Sequence, residues 1–340
     1  MKAIIMAGGQ GTRLKAVSGD TPKPLVPLCG KPIMEHIVTL LKENGFTDIC
    51  VTLKYRPQDI TDYFGDGSRF GVKMQYRIEQ EALGTAGGVK NCADFYGDED
   101  FLVISGDAAC DFDLAELYRK HRDAHSDVSI ALYPHPEPLP YGLTVCDRSG
   151  RVRAFIEKPD WPHVVTNLVN TGIYVISPAA MDKVPSGKSF DFAKDLFPEI
   201  LKSDGLIQGI PADGYWCDIG TPKSYYECCA DALSGRLNLE PAPDFKVEKS
   251  HESPEESGGE LYGCKDRARL MGSLSELFLD MGADFSGGLC LKAEDYEISI
   301  SPCAAQSALR IRASASDAET AKELSLSVRQ LLEAAENRLE

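Results

Sequence analysis

Residues 2–13, KAIIMAGGQGTR, join a short apolar strand pattern to a glycine-rich loop. Lys2 to Ala7 is apolar and β-compatible, and a strand that runs directly into such a loop is typical of the start of an α/β unit. Glycines allow backbone N–H groups to approach phosphate oxygens closely. We therefore take Gly8, Gly9 and Gly11 as candidate phosphate-binding positions.

Strand and helix patterns alternate beyond this loop. Strand-like runs lie at 48–53, 101–105, 128–133 and 172–176, and helical patterns lie at 32–44 and 114–125. Alternation of this kind favours a largely parallel sheet covered by helices. The predicted fold class is therefore α/β, and a further pattern of helix, strands and helix after residue 264 predicts a small α+β domain.

Two familiar phosphate-binding motifs are ruled out by single residues. A Walker A motif at 182–189 needs glycine at its first position, where Asp182 stands. A dinucleotide fingerprint begun at Gly9 needs glycine where Leu14 stands. A glycine loop followed by Arg13 remains, and it belongs to neither class.

Charge argues against nucleic acid as a partner. The chain has 36 Lys and Arg against 52 Asp and Glu, a net charge of −16, whereas binding many phosphates needs clustered cations. Residues 1–34 differ, because they hold five cations and only one acid. The cations are Lys2, Arg13, Lys15, Lys23 and Lys31. A small anionic substrate in a locally basic pocket fits this distribution.

Length and composition predict two domains, since 340 residues at about 150 per domain give roughly two. Prolines, glycines and acidic residues mix between 236 and 263, so we predict a catalytic domain at 1–235, a flexible linker at 236–263 and a small domain at 264–340. No run approaches the roughly 18 apolar residues of a membrane span, and the first residues do not resemble a signal peptide. We expect a cytoplasmic protein that does not bind a membrane.

Two aspartates are candidate ligands for a metal. Asp107 follows an apolar strand pattern through Gly106, and Asp218 lies in the segment WCDIG at 216–220. Mg²⁺ in proteins commonly takes one or two carboxylates together with phosphate oxygens and waters. By contrast, the 11 cysteines form no CxxC pair and accompany six histidines, which argues against zinc.

Seven short motifs occur in order across residues 1–233. They are GGQGTRL at 8–14, PKPL at 22–25, LGTAG at 83–87, SGD at 105–107, EKP at 157–159, NTG at 170–172 and WCDIG at 216–220. Together they resemble the nucleoside-diphosphate-sugar pyrophosphorylases, which are sugar-1-phosphate nucleotidyltransferases. YFGDG at 63–67 and FDF at 190–192 also resemble one branch, the mannose-1-phosphate guanylyltransferase-like enzymes fused to a phosphomannomutase-like region.

The resemblance implies a Rossmann-like, three-layer domain with a mostly parallel sheet. It also implies Mg²⁺-dependent transfer of a nucleotidyl group from a nucleoside triphosphate to a sugar 1-phosphate, with release of pyrophosphate. GTP and mannose 1-phosphate are the expected pair. Such a transfer depends on positioning and on charge neutralisation and needs no covalent protein nucleophile.

The same resemblance implies a role for each site residue. Arg13 would steady the triphosphate, Lys23 the α-phosphate region and Lys158 the sugar phosphate. Asp107 and Asp218 would hold Mg²⁺. The remaining positions are Gly8, Gly9, Gly11, Thr12, Gly84 and Thr85 for the nucleotide, with Glu79 to Glu81 near its base, and Gly142, Glu157 and Asn170 for the sugar. Asp191 and Lys194 are weaker candidates, because their spacing is harder to match.

Residues 264 to 339 resemble the last domain of the phosphohexomutases. The phosphate-binding loop of that family is replaced here by SPCAAQS at 301–307, which lacks its arginine, so we expect no mutase activity. Packing against the catalytic domain, self-association and regulation stay open as roles, and we expect removal of 264–340 to spare the chemistry. Two alternatives for the whole protein also stay open: a glucose-1-phosphate uridylyl- or thymidylyltransferase, and a non-catalytic sugar-nucleotide sensor.

Overall fold

The computed structural model describes residues 1–243, 245, 260–265, 267–279, 281, 283, 289–293, 295–302 and 308–338. The strands in these ranges are β1 (Lys2–Ala7), β2 (Pro27–Leu28), β3 (Lys31–Pro32), β4 (Asp48–Leu53), β5 (Lys73–Ile78), β6 (Phe101–Ser105), β7 (Ala108–Cys110), β8 (Val128–Pro134), β9 (Gly142–Cys146), β10 (Val152–Glu157), β11 (Leu168–Ile176), β12 (Ile207–Pro211), β13 (Trp216–Asp218), β14 (Glu260–Gly263), β15 (Leu289–Lys292), β16 (Tyr296–Pro302) and β17 (Ala308–Ala315). The α-helices are α1 (Lys15–Ser18), α2 (Ile33–Glu43), α3 (Pro57–Phe64), α4 (Gly84–Lys90), α5 (Ala93–Tyr96), α6 (Leu114–Ala124), α7 (Pro178–Met181), α8 (Phe197–Lys202), α9 (Pro222–Leu233), α10 (Arg267–Leu279) and α11 (Ala318–Glu336). No helix in the described ranges has the length and apolar character needed to cross a membrane.

The chain forms two compact units. The first contains Met1–Gln10 and Pro32–Asp218, and the second contains Gly11–Lys31 and Ile219–Glu340. Part of the linker expected at 236–263, namely 244 and 246–259, lies outside the described residues, and its last four residues form β14. The sequence-based division into domains at 1–235 and 264–340 stays a prediction.

The first unit is built on a nine-stranded sheet in the order β10-β9-β11-β6-β1-β4-β5, with β8 paired to β11 and β12. The strands from β6 to β5 are parallel, and β11 runs antiparallel to its neighbours. The central strands are apolar along their length, and Ile4, Ile5 and Val103 are fully buried, as expected of parallel strands covered on both faces. The α/β class with a mostly parallel central sheet, expected from the sequence, is confirmed.

A short ladder outside this sheet joins β7 to β13. Gly106 lies at the turn between β6 and β7, where its N–H donates to the Met6 carbonyl at 2.8 Å. A Cβ at Gly106 would lie 3.0 Å from the Met6 carbonyl oxygen, so glycine lets the chain turn against β1. The antiparallel register places Asp218 opposite Ala108.

The second unit carries a four-stranded antiparallel sheet in the order β14-β17-β16-β15. Its apolar cluster combines alternate residues of the strands with one face of α10 and of α11, as in Ile300, Leu274 and Leu332. The additional small α+β domain is therefore confirmed. In the sequence, the spacing of Ser316 and Glu319 predicts a capping box before the last helix. That prediction is wrong, because Asp317 caps α11 by accepting the Thr320 N–H at 2.8 Å.

Candidate active site

The carboxyl ends of three parallel strands form the floor of the site in the first unit. β1 is paired with β4 through Ala7 and Leu53 and with β6 through Met6 and Ser105, so the segments that follow these strands emerge at one edge. Loops at this edge of an open α/β sheet are where ligands bind.

Gly8 is the first of these edge residues. A Cβ on Gly8 would lie 3.7 Å from Lys54 Cβ and 3.9 Å from a carboxylate oxygen of Glu79, whereas a Cβ on Gly9 would meet no described atom within 4 Å. Gly8 is therefore packed against the floor and Gly9 faces open space. Lys54 was not among the residues expected from the sequence, since its position after a strand carries no distinctive motif.

Asp107 and Asp218 both lie at the ladder between β7 and β13. Asp107 directly precedes β7, and Asp218 stands opposite Ala108. The Ser105 hydroxyl donates to Asp107 Oδ1 at 2.7 Å and so orients that carboxylate. Two carboxylates match the one or two that Mg²⁺ takes from a protein, and no group of three or more metal-ligating side chains occurs within the described residues. The donor set fits a hard divalent cation that also binds phosphate.

A β-bulge connects this ladder to the main sheet. The pairing of β11 with β8 is interrupted between Asn170 and Tyr174. Within the interruption, the Thr171 hydroxyl donates to the Ala131 carbonyl at 2.7 Å, and the Trp216 indole N–H donates to the Thr171 carbonyl at 3.2 Å. The bulge thus anchors β13, whose last residue is Asp218.

The expected sugar residues lie together on the antiparallel half of the sheet. Gly142 is paired with Glu157 in the ladder of β9 and β10, and a Cβ on Gly142 would lie 3.0 Å from Glu157 Oε2. Lys158 adopts a left-handed backbone with φ of 42°, and its N–H donates to the Tyr141 carbonyl at 3.2 Å. A lysine in this conformation is strained, and such strain is concentrated at functional sites.

Asn170 lies in the bulge of β11. Its Oδ1 accepts the Gly172 N–H at 3.0 Å, and its side chain also forms a hydrogen bond with the Tyr174 hydroxyl. Burial raises the pKa of Tyr174, and the nearby carboxylates of Asp191 and Glu157 raise it further. Tyr174 therefore stays neutral.

The segment expected near the base is held by backbone contacts. Gly84 has a φ of 70°, and a Cβ there would lie 2.6 Å from the Phe190 carbonyl oxygen. The Thr85 hydroxyl donates to Asp191 Oδ2 at 2.7 Å and accepts the Phe192 N–H at 3.0 Å. Thr85 thus fixes the start of the π-helix Phe192–Leu196.

The Glu79 carboxylate also contacts this segment, at Leu83 and Gly88. Its Oε2 accepts the Leu83 N–H at 3.1 Å, and a Cβ on Gly88 would lie 2.5 Å from its Oε1. Burial raises the pKa of Glu79, while the Leu83 N–H and the charge of Lys54 oppose that rise. Its observed role is structural.

The second unit contains the predicted residues from Gly11 to Lys23, and there the loop glycine and the lysine are in contact. Gly11 has a φ of 61°, and a Cβ there would lie 3.0 Å from Lys23 Cβ. Lys23 is buried, whereas Thr12 and Arg13 are exposed on a single 3-10 turn. The structure therefore brings together Gly11 and Lys23 within this unit.

An aromatic cluster lies beside Gly142 and was not expected from the sequence. Its members are Tyr133, His135, Tyr141 and Trp216, with ring centroids 4.9 Å apart for His135 and Tyr141 and 5.3 Å apart for Tyr141 and Trp216. His135 Nδ1 accepts the Glu137 N–H at 3.0 Å, and burial lowers the pKa of His135. The signal that would have found the cluster is the run YPHPEPLPYG at 133–142, which concentrates rings and prolines.

Comparisons with known proteins show which proteins the chain is similar to. A family model described as nucleotidyl transferase matches residues 2–235. The UTP–glucose-1-phosphate uridylyltransferase of Synechocystis sp. is 35% identical over 260 residues, which are 73% of this chain and 67% of that protein. The mannose-1-phosphate guanylyltransferase of Mycobacterium tuberculosis is 32% identical over 245 residues, which are 72% of this chain and 67% of that protein.

A solved structure shares the fold. HddC from Yersinia pseudotuberculosis, crystallised in complex with GMP-PN, is 32% identical, with a TM-score of 0.59 over 67% of this chain and 97% of that one. The chain spans about two thirds of the length of the two curated relatives. Sequence and fold therefore point to one family.

Proposed function

Because this chain belongs to the nucleotidyl transferase family, we propose that it transfers a nucleotidyl group from a nucleoside triphosphate to a sugar 1-phosphate and releases pyrophosphate. The observation that supports the proposal is the register of β7 and β13, in which Asp218 is paired with Ala108, the residue after Asp107. A sensor of sugar nucleotides would need no such carboxylate pair, so the pair favours an enzyme.

The finer proposal is GTP and mannose 1-phosphate as the substrate pair. The guanylyltransferase relative and the HddC complex with GMP-PN support the guanine base. The uridylyltransferase relative, at 35% identity, supports the second candidate, which is glucose 1-phosphate with UTP. Sugar and base are the points on which the relatives differ.

The proposed roles follow from charge and position. The phosphate oxygen of the sugar 1-phosphate attacks the α-phosphorus as pyrophosphate leaves. Arg13 and Lys23 would bind the triphosphate, and Lys158 would bind the sugar phosphate, because guanidinium and ammonium groups neutralise phosphate charge. Asp107 and Asp218 would hold Mg²⁺, which supplies neutralisation of charge on the phosphate oxygens when bound.

The sugar and base would be positioned by polar groups and glycines. Glu157 and Asn170 would form hydrogen bonds with sugar hydroxyls, and Gly142 would allow close approach of the backbone. Gly84 and Thr85 would lie near the base. Binding and orientation of this kind lower the barrier by holding the reacting groups together.

Three other points stay predictions. They are Mg²⁺ as the metal, a cytoplasmic location, and the likeness of the C-terminal domain to the last domain of the phosphohexomutases.

The first test is pyrophosphate release with Mg²⁺, measured for GTP, UTP and dTTP, each with mannose 1-phosphate and with glucose 1-phosphate. We expect the highest kcat/KM for GTP with mannose 1-phosphate. A preference for UTP or dTTP with glucose 1-phosphate would establish the second candidate. If no pair gives pyrophosphate, the remaining candidate is a non-catalytic sugar-nucleotide sensor.

The second part of the test concerns the carboxylates. Asp107→Asn and Asp218→Asn should each lower kcat by about 10²- to 10³-fold, since each removes a charge that would hold the metal. Asp213→Asn is the matched control, because Asp213 is an exposed carboxylate in the loop before β13. Turnover equal to that of the control in either variant would remove that residue from the metal site.

A further inference from the structure

We propose that the C-terminal module, defined as β14–β17 with α10 and α11, holds the segment 11–31 in the shape that binds the nucleoside triphosphate. This inference rests on the proposed function, because that segment carries Arg13 and Lys23. It makes the module a positioning element of the reaction.

The segment 11–31 lacks local structure that is stable alone. Its helical elements are α1, of four residues, and the 3-10 turns Thr12–Leu14 and Lys23–Leu25, of three residues each. Isolated helices shorter than about 12 residues are marginal in water, because nucleation is costly. The shape of the segment must therefore come from packing.

The first packing contact comes from the module itself. The apolar cluster of α10, α11 and the four-stranded sheet extends to Ala16 and Val17, which belong to α1. α1 follows the turn that contains Arg13 without a break. Burial of Ala16 and Val17 against the module therefore fixes the end of the turn that presents Arg13.

The second contact passes through α9. Tyr226 of α9 also packs against the cluster of the module, and the hydroxyl of Tyr225 donates to the Pro27 carbonyl at 2.8 Å. One helix thus touches the module and the far end of the segment 11–31. At that end, the Lys31 amine lies 3.6 Å from a carboxylate oxygen of Glu240.

α9 and α10 approach closely at one glycine. A Cβ on Gly272 would lie 3.3 Å from the Lys223 carbonyl oxygen and 3.6 Å from Glu227 Cγ. The adjacent Ser275 hydroxyl is buried and donates to the Gly272 carbonyl at 2.7 Å. A large side chain at Gly272 would therefore separate α10 from α9 and from α1. The proposal therefore predicts that changes within residues 264–340 alter the activity. The expectation from the sequence was that removal of these residues spares it.

The experiment compares Gly272→Leu with Gly263→Leu in the full chain. Gly263 lies in β14, in the same module, and a Cβ there would meet no described atom within 4 Å. We expect Gly272→Leu to raise KM for the triphosphate by about fivefold or more, a coupling of ordinary size, with a smaller change in KM for the sugar 1-phosphate. Gly263→Leu should leave both constants unchanged.

Amide hydrogen exchange gives a readout that does not depend on activity. The N–H groups of Leu14, Gly19 and Val26 are bonded within the segment, to Gly11, Lys15 and Lys23, and are protected when it holds its shape. We expect their exchange to be about tenfold faster in Gly272→Leu, with β1 unchanged. If Gly272→Leu fails to fold, the same exchange measurement is made on Val17→Ala, which removes part of the packing of α1 against the module.

Unchanged exchange and unchanged KM in a folded variant would overturn the inference. If the wild-type chain releases no pyrophosphate with any substrate pair, the proposed function fails. Faster exchange in the segment would then still establish that the module holds it, so the two failures are distinguishable.

Discussion

Trp216 joins β13, which ends at Asp218, to the bulge of β11 and to Tyr141, the neighbour of the proposed sugar residue Gly142. It is buried, its N–H donates to the Thr171 carbonyl, and its ring lies against Tyr141. Asp218 follows it by two positions on β13. Trp216 touches no reacting atom in the proposed chemistry, so it is a positioning residue that acts through the backbone of its strand.

Trp216→Phe keeps one six-membered aromatic ring and removes the pyrrole ring of the indole together with its N–H donor. We expect kcat to fall about tenfold, with KM for the triphosphate little changed, because the backbone that carries Asp218 loosens. The unpaired Thr171 carbonyl should also cost about 1–3 kcal/mol of unfolding free energy. Steady-state pyrophosphate release and urea unfolding measure the two effects.

Tyr118→Phe is the control for the loss of the hydrogen bond. It also removes one hydrogen bond to a carbonyl, that of the Tyr118 hydroxyl to the Asp100 carbonyl at 3.1 Å, and Asp100 precedes β6 whereas Asp107 follows its other end. We expect Tyr118→Phe to lower the unfolding free energy and to leave kcat unchanged. If both variants lowered the unfolding free energy and neither lowered kcat, the positioning role of Trp216 would be refuted.

At the scale of the element, α4 shows how glycines allow a tight contact between two backbones. The Phe190 N–H donates to the Leu83 carbonyl at 2.8 Å, and the Gly87 N–H donates back to the Phe190 carbonyl at 3.0 Å. A Cβ on Gly87 would lie 2.6 Å from the Lys188 carbonyl oxygen. The first turn of α4 and the segment before the π-helix are therefore one rigid piece.

Gly84→Ala should destabilise the protein by about 2–4 kcal/mol, because it adds a steric clash at 2.6 Å to a left-handed backbone. Gly97→Ala is its control, since Gly97 has a similar φ of 60° with open space around it and should cost about 1 kcal/mol. Urea unfolding of both variants gives the difference. If both variants lost the same unfolding free energy, the contact with Phe190 would contribute nothing to the cost of a side chain at Gly84.

The stability of the whole molecule should depend on pH through buried histidine. His121 is 1% exposed, and its Nδ1 lies 3.0 Å from the Ser129 hydroxyl oxygen. Burial lowers the pKa of His121, and the charge of Arg122 adds to this against the opposing Asp100 and Asp127. The unfolded chain therefore takes up this proton at higher pH than the folded chain does.

The resulting stability is fully present above the unfolded pKa of about 6.5 and is lost as the pH falls towards the lower folded value. We expect the unfolding free energy to decrease between pH 7.5 and 5.5, and His121→Asn to flatten that dependence. His163→Asn, at an exposed histidine, should not alter it. An unchanged slope in His121→Asn would assign the pH dependence to other groups, such as His135.

Much of the framework was predictable from local patterns. The runs 48–53 and 101–105 are strands with the expected bounds, and the helical period at 32–44 corresponds to Ile33–Glu43. Apolar runs and amphipathic periods are local properties of the chain, so they need no knowledge of distant contacts. The capping of α11 was misjudged by one residue, because Ser316 and Asp317 are both good caps and the difference lies in backbone geometry.

The linear order of residues was enough to predict an α/β chain with a phosphate-type loop, since each strand, turn and glycine there is specified by its neighbours. It could not show that Asp218 pairs with Ala108, the residue after Asp107, that Trp216 holds that ladder to a bulge, or that α1 packs on the C-terminal module. Each of these depends on strand register or side-chain packing between segments far apart in sequence. Register and packing are set by the energy of the assembled core, and no single segment contains that information.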